Sequence, residues 1–222
     1  MNVQPFLRFT LNSRYIKRWI FPGLIILIPP LNFFSLGYLS RTSRITMIGG
    51  IGLPTWENKK EIAIEGVKLL FVFILYNAIS FFLFSSGFFL TTLNAFTAFL
   101  GRVIMMCSYA ALVVCCYPIP FALVCYSESE DFRRALEFET ILKGIKDVFV
   151  EYIVGYGVTL IGLFVCYKIA RVLYPVGFLF ASVLSYYLLL CSTYYFTELY
   201  KKTSLAAVRM DQPLEPPATA SE

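Results

Sequence analysis

The sequence predicts an all-α protein, a polytopic transmembrane helical bundle with four to five spanning segments. Three observations carry that prediction. Hydrophobic residues make up 58% of the 222 and charged residues 15%, whereas soluble domains carry about 25% charge. The mean hydropathy is +0.70. The apolar residues also cluster into runs long enough to cross a hydrocarbon core, with short polar stretches between them. One soluble core could not hide that much apolar surface in a chain of this length.

Residues 1–18 alternate basic side chains (Arg8, Arg14, Lys17, Arg18) with Phe6, Leu7, Phe9, Tyr15 and Ile16, the pattern of an interfacial amphipathic segment. The membrane domain is read as 19–200. Its first segment, Trp19 to Leu39, is uncharged but broken by Pro29-Pro30. Prolines remove backbone donors and clash with the preceding turn, so this segment is either a kinked span or a re-entrant hairpin. Residues 40–66 are polar, with a glycine patch at Gly49, Gly50 and Gly52 that reads as a flexible loop. Val67–Phe84 reads as a span punctuated by Ser85-Ser86-Gly87. Phe88–Leu100 is short, an external lid or a descending half-helix, and Gly101–Tyr126 is the next span. After a charged stretch at 127–147, Val148–Tyr167 and Gly177–Tyr200 supply two more spans. Residues 201–222 are proline-bearing and polar and read as a disordered cytoplasmic tail.

An internal parallel duplication is a further expectation. Glu61-Ile-Ala-Ile-Glu-Gly66-Val-Lys68 pairs with Glu139-Thr-Ile-Leu-Lys-Gly144-Ile-Lys146, and Pro30–Tyr38 pairs with Pro118–Tyr126. The units would be 19–84 and 101–167, with 177–200 as the final span. The basic residues also carry orientation, because Lys and Arg collect on the cytoplasmic side. With 19–39 re-entrant, fifteen fall on one side and three on the other. That split places residues 40–66, 127–147 and the tail in the cytoplasm.

Composition restricts the chemistry. No histidine is present, which removes His-based acid–base catalysis and His-ligated metal. The six cysteines sit in apolar runs without metal-ligand spacing. No hydroxyl has a base spaced to activate it. The chain therefore reads as a non-enzyme with no cofactor, no metal and no nucleic-acid partner. The residues singled out are Arg41, Arg44, Trp56, Lys68 and Lys146, as a cytoplasmic patch for lipid headgroups or an acidic partner. Gly66, Gly144 and Gly155 are expected to pack helices closely. At Gly66 and Gly144, Leu should be tolerated less well than Ala. Glu151 is expected to pair with Lys143 or Lys146, and Glu198 with Lys201 or Lys202.

The run Ile28-Pro-Pro-Leu-Asn32, Gly37-Tyr38, Arg41, Arg44, followed by Leu53-Pro54-Thr-Trp56 and Glu65-Gly66-Val-Lys68, resembles the prokaryotic membrane-protein family called Domain of Unknown Function 4013. The match is specific over residues 19–80 and weaker beyond. The resemblance implies a bacterial or archaeal cytoplasmic membrane and no catalytic residues. The functional expectation is an accessory or scaffold subunit of a membrane complex, in contact with lipids and with another membrane protein or a second copy. A small transporter or lipid-handling protein is the alternative.

Overall fold

A computed structural model describes residues 4–28, 31–50 and 52–206. In chain order the helices are α1 (Gln4–Thr10), α2 (Ser13–Ile25), α3 (Asn32–Met47), α4 (Lys59–Thr91) and α5 (Ala95–Cys116). They continue with α6 (Ile119–Ser129), α7 (Phe138–Asp147), α8 (Phe149–Val172) and α9 (Val176–Tyr200). A 3-10 turn, Arg134–Leu136, precedes α7. Among the described residues there is no strand.

Two long apolar hairpins dominate, α4 with α5 and α8 with α9. Four helical stretches are long and apolar enough to cross a membrane: Lys59–Thr91, Ala95–Ser129, Phe149–Val172 and Val176–Tyr200. Their outward faces carry bare side chains such as Phe82 (72% exposed), Phe96 (81%) and Val150 (74%). In water these would form an aggregating patch; in a bilayer they meet hydrocarbon. The α4–α5 turn follows from local chemistry. The Asn94 side chain accepts the Thr97 backbone N–H, and the Asn94 N–H donates to the Thr97 hydroxyl, which closes a reciprocal cap at the start of α5.

The segment 85–100 departs from expectation. Ser85-Ser86-Gly87 does not punctuate a span, since α4 runs through it to Thr91, and 88–100 is neither lid nor half-helix. Gly87 and Gly101 instead face each other across the hairpin, and a Cβ on either would crowd the other's carbonyl. Glycine here sets the close approach of two helices rather than ending one.

The first apolar segment is not one helix. α2 ends at Ile25, α3 begins at Asn32, and the second folds back on the first. The Ser35 hydroxyl donates to the Pro22 carbonyl at 2.8 Å, and Arg18 lies over the Leu53 carbonyl beyond α3's far end. The residues Pro29-Pro30, on which the break was read, lie outside the described residues. α9 receives this hairpin along its length. Ser182 donates to the Gly23 carbonyl, Tyr186 to the Ser35 carbonyl, and Ser43 pairs with Thr197. Ser182, which holds Gly23, lies 18 residues from Tyr200, so this contact is made roughly 27 Å up α9. Both outer ends of the hairpin lie near the same end of α9, at Tyr194 and Thr197, as the re-entrant alternative expects.

The 18/19 boundary falls inside α2, so residues 1–18 are not one element. α1 docks by Phe6, whose ring stacks on Tyr194 at 4.3 Å. The glycine patch after α3 is not a flexible loop. Gly49 has φ of 83°, and the Gly50 N–H reaches back to the Ile45 carbonyl while the Gly49 N–H reaches Thr46. This is the left-handed stop that favours glycine at the end of a helix.

Pro118 and Pro120 separate α5 from α6. With no N–H at 118, the Tyr117 N–H turns to the Val114 carbonyl, and the Val113 and Tyr117 carbonyls are left open. Two tyrosines of α8 fill them: Tyr156 donates to Val113 at 2.8 Å, and Tyr152 donates to Tyr117. These bonds tie the α8–α9 hairpin to the base of α4–α5; above them the two hairpins barely touch.

Residues 201–206 do not continue a disordered tail. Thr203 and Ala206 are buried, and Ser204 is held by Asp147 through both its N–H (3.1 Å) and its hydroxyl (2.6 Å). The remainder of that segment, 207–222, lies outside the described residues.

Candidate functional site

Charged residues from three chain segments gather at one end of the bundle. Arg41 and Arg44 leave the same face of α3 and meet carboxylates from α4 and from the end of α6. Arg41 Nη2 lies 2.8 Å from Glu61 Oε2, and Arg41 Nε lies 3.5 Å from Glu65 Oε1. Arg44 Nη1 lies 3.5 Å from Glu65 Oε1 and 2.9 Å from Glu130 Oε1. Its Nε donates to the Ser127 carbonyl at 3.2 Å. Glu65 is thus clamped between two guanidiniums, and Arg44 joins α3, α4 and α6. Glu130 is placed for this by an unusual backbone, φ 58°, at the C-terminus of α6. Part-buried pairs of this kind hold segments in register more than they add stability.

The expected anion-binding patch is therefore corrected in its core. Arg41 and Arg44 are already matched by three carboxylates, so the cluster as a whole is acidic and does not favour a phosphate. Beside it is a cleft of about 330 Å³ lined by Arg41, Arg44, Ile45, Pro54, Thr55 and Glu61. Trp56 is not a free headgroup anchor. Its ring stacks on Tyr38 at 4.9 Å and meets Phe21 edge-on, and its indole N–H donates to the Arg18 carbonyl. It is the wedge that seats the loop on the re-entrant hairpin. Lys68 and Lys146 are exposed, and among the described residues neither makes an ion pair or joins the arginines.

The three expected packing glycines sit in different surroundings. Gly66 lies against α3 backbone, where a Cβ would overlap the Phe33 carbonyl and crowd the Gly37 N–H at 3.0 Å. Gly144 faces side chains, Leu205 at 2.7 Å and the Phe121 ring at 3.6 Å. Phe33 and Phe121 stand at the same offset that pairs Tyr38 with Tyr126, so each glycine meets the phenylalanine that the expected duplication would match to the other. The surroundings still differ, because α4 is continuous through Gly66 while α7 and α8 break at Val148. At Gly155 a Cβ would overlap the Tyr195 ring of α9.

Glu151 pairs with Lys202 at 3.2 Å, not with Lys143 or Lys146, because the segment after α9 folds across the start of α8. Glu198 pairs with Lys201 at 2.5 Å, as their spacing implied. The hydrogen bonds from Ser204 hold the Asp147 carboxyl below the usual carboxylate range.

Sequence reading missed the partners Glu61, Glu65 and Glu130. The available signal was an Arg-x-x-Arg pair followed by Glu-x-x-x-Glu on the next helix, complementary if the two helices are antiparallel. It also missed an apolar cavity of about 300 Å³ between the hairpins, bounded by Leu36, Phe73, Pro120, Leu163, Leu189 and Phe196 among others. Six helices contribute to that wall, and no local pattern marks it.

Residues 21–179 match a family model described as a protein of unknown function, DUF4013. The chain belongs to this family. Searches of curated proteins and of solved structures returned no match. The matched region of this DUF4013 protein takes in the end of α2, the whole of α3, the arginine–glutamate cluster, the α5–α6 break and the whole of α8. Most of α9, on which the hairpin packs, lies beyond the match.

Proposed function

We propose that this DUF4013 protein is a non-catalytic accessory or scaffold subunit in a prokaryotic cytoplasmic membrane, with its charged end in the cytoplasm. The observation that carries this reading is the internal use of charge at that end. Arg41, Arg44, Glu61, Glu65 and Glu130 bind one another, Lys202 binds Glu151, and Asp147 binds Ser204. These contacts hold chain segments together, with Arg41 Nε, Arg44 Nη2 and Glu65 Oε2 buried without hydrogen-bond partners among the described residues, and the network supports a rigid platform. The outward face of α7, with Phe138, Leu142, Lys143 and Lys146 exposed, is the surface we assign to another membrane protein.

Purification from native membranes tests this. The parent protein should carry a stoichiometric membrane partner, and Leu142→Glu should release it while the yield of the DUF4013 chain is unchanged. A protein that purifies free of other chains, with no difference between parent and variant, overturns the scaffold reading. The cavity between the hairpins favours a second reading, a lipid-handling protein.

A further inference from the structure

We infer that the cavity between the two hairpins is a binding site for one acyl chain of a membrane phospholipid; this rests on the lipid-handling reading only for its purpose, not for its chemistry. The wall is built by α3, α4, the α5–α6 break, α8 and α9. The class of occupant follows from how its polar residues are already committed. Tyr156 donates its proton to the Val113 carbonyl. Thr159 donates to the Gly155 carbonyl and so accepts from Ser192 at 2.8 Å. Thr193 donates to the Leu189 carbonyl, and the Cys116 thiol points at Asn77 Oδ1 at 3.3 Å. No donor on these side chains is left for a ligand.

The lining is also almost wholly apolar, so an occupant that needs hydrogen bonds, whether headgroup, sugar or peptide backbone, would lose more than it gained. Water is disfavoured for the same reason, since apolar cavities without polar partners stay dry. A hydrocarbon chain requires none. The source is set by position. The bond from Tyr156 to Val113 places the wall beside the outward faces of α5 and α8, where Val113, Val114, Val158 and Ile161 are bare. The cavity is partly open, and its wall helices α5 and α8 carry those bilayer-facing side chains, so the surrounding medium supplies acyl chains.

The test uses the full chain in nanodiscs of phosphatidylethanolamine and phosphatidylglycerol, doped with a phospholipid bearing a diazirine near mid-chain. On irradiation the diazirine loses nitrogen, and the resulting carbene inserts into a nearby C–H bond. Adducts are mapped by mass spectrometry. We expect adducts on the cavity residues Leu163 and Leu189 as abundant as those on lipid-facing Ile161. Adducts confined to Ile161 and its outward neighbours overturn the proposal. Ser192→Trp fills the cavity and should abolish labelling of Leu163 and Leu189 while Ile161 stays labelled; the parent ratio decides the matter should that variant fold poorly. Transfer of labelled phospholipid between vesicles is scored separately. Cavity adducts with transfer unaffected by Ser192→Trp would leave the site standing and remove the lipid-handling reading.

Discussion

Replacing Gly66 with alanine should disrupt the α3–α4 crossing, although alanine is ordinarily the mildest change at a helical glycine and improves helix propensity by about 1 kcal/mol. A Cβ at Gly66 would overlap the carbonyl oxygen of Phe33, and the atoms next to it, the Phe33 carbonyl carbon at 2.6 Å and the Gly37 N–H at 3.0 Å, are backbone as well. Backbone cannot rotate away. A carbon and a carbonyl oxygen need about 3.3 Å, so the helices must separate by roughly 1.5 Å. Glu65 is adjacent, and its pairs to Arg41 and Arg44 already stand at 3.5 Å, so separation breaks both. Overpacking of this kind costs about 1–3 kcal/mol, and with the lost pairs the upper end, about 3 kcal/mol, is expected. At Gly144 the obstruction is the Leu205 methyl, the end of a flexible side chain, so alanine should cost about 1 kcal/mol or less. Leucine should then be worse than alanine at Gly144, whereas at Gly66 both should fail. The assay is unfolding in mixed micelles, parent against Gly66→Ala and Gly144→Ala. Equal stability of the two variants would refute the reasoning.

Arg44→Lys should destabilise even though it keeps the charge, because one ammonium cannot reach Glu65, Glu130 and the Ser127 carbonyl together; with partial exposure the cost should be about 1–2 kcal/mol, read as a lowered unfolding midpoint. Tyr156→Phe leaves the Val113 carbonyl unpaired beside the α5–α6 break and should cost about 0.6–1.7 kcal/mol, the range for hydrogen bonds between membrane helices; a stability equal to the parent's would dismiss its tethering role. The depressed Asp147 carboxyl contributes stability above the ordinary carboxylate range and loses it as pH falls through its lowered value. Proteolysis after Lys202 should therefore quicken at acid pH in the parent and be fast at every pH in Asp147→Asn. Single cysteines at Glu57 and Asp131, in a background lacking the native six, should resist an impermeant thiol reagent in intact cells; labelling at either would reverse the orientation.

The all-α class and its membrane setting are properties of the sequence by itself. A run of apolar residues long enough to cross hydrocarbon must close its hydrogen bonds within itself, and a helix does so without any partner. The same local logic made the break in the first segment and the Glu198–Lys201 pair legible, since each depends on residues a few positions apart. What escaped the sequence depends on which helix lies next to which. Gly87 looked like a break because a glycine has the same local propensity whether or not Gly101 faces it. Arg41 and Arg44 looked free because their carboxylates, Glu61, Glu65 and Glu130, come from other elements. Lys202 competes for Glu151 only once the segment after α9 folds across α8. The hydrocarbon cavity belongs to no element, since it is the space left where two hairpins meet at the carbonyls that Pro118 opened. Short-range sterics and hydrophobicity fix the helices, whereas charge pairing, close approach and empty volume are set by packing between residues distant in the chain.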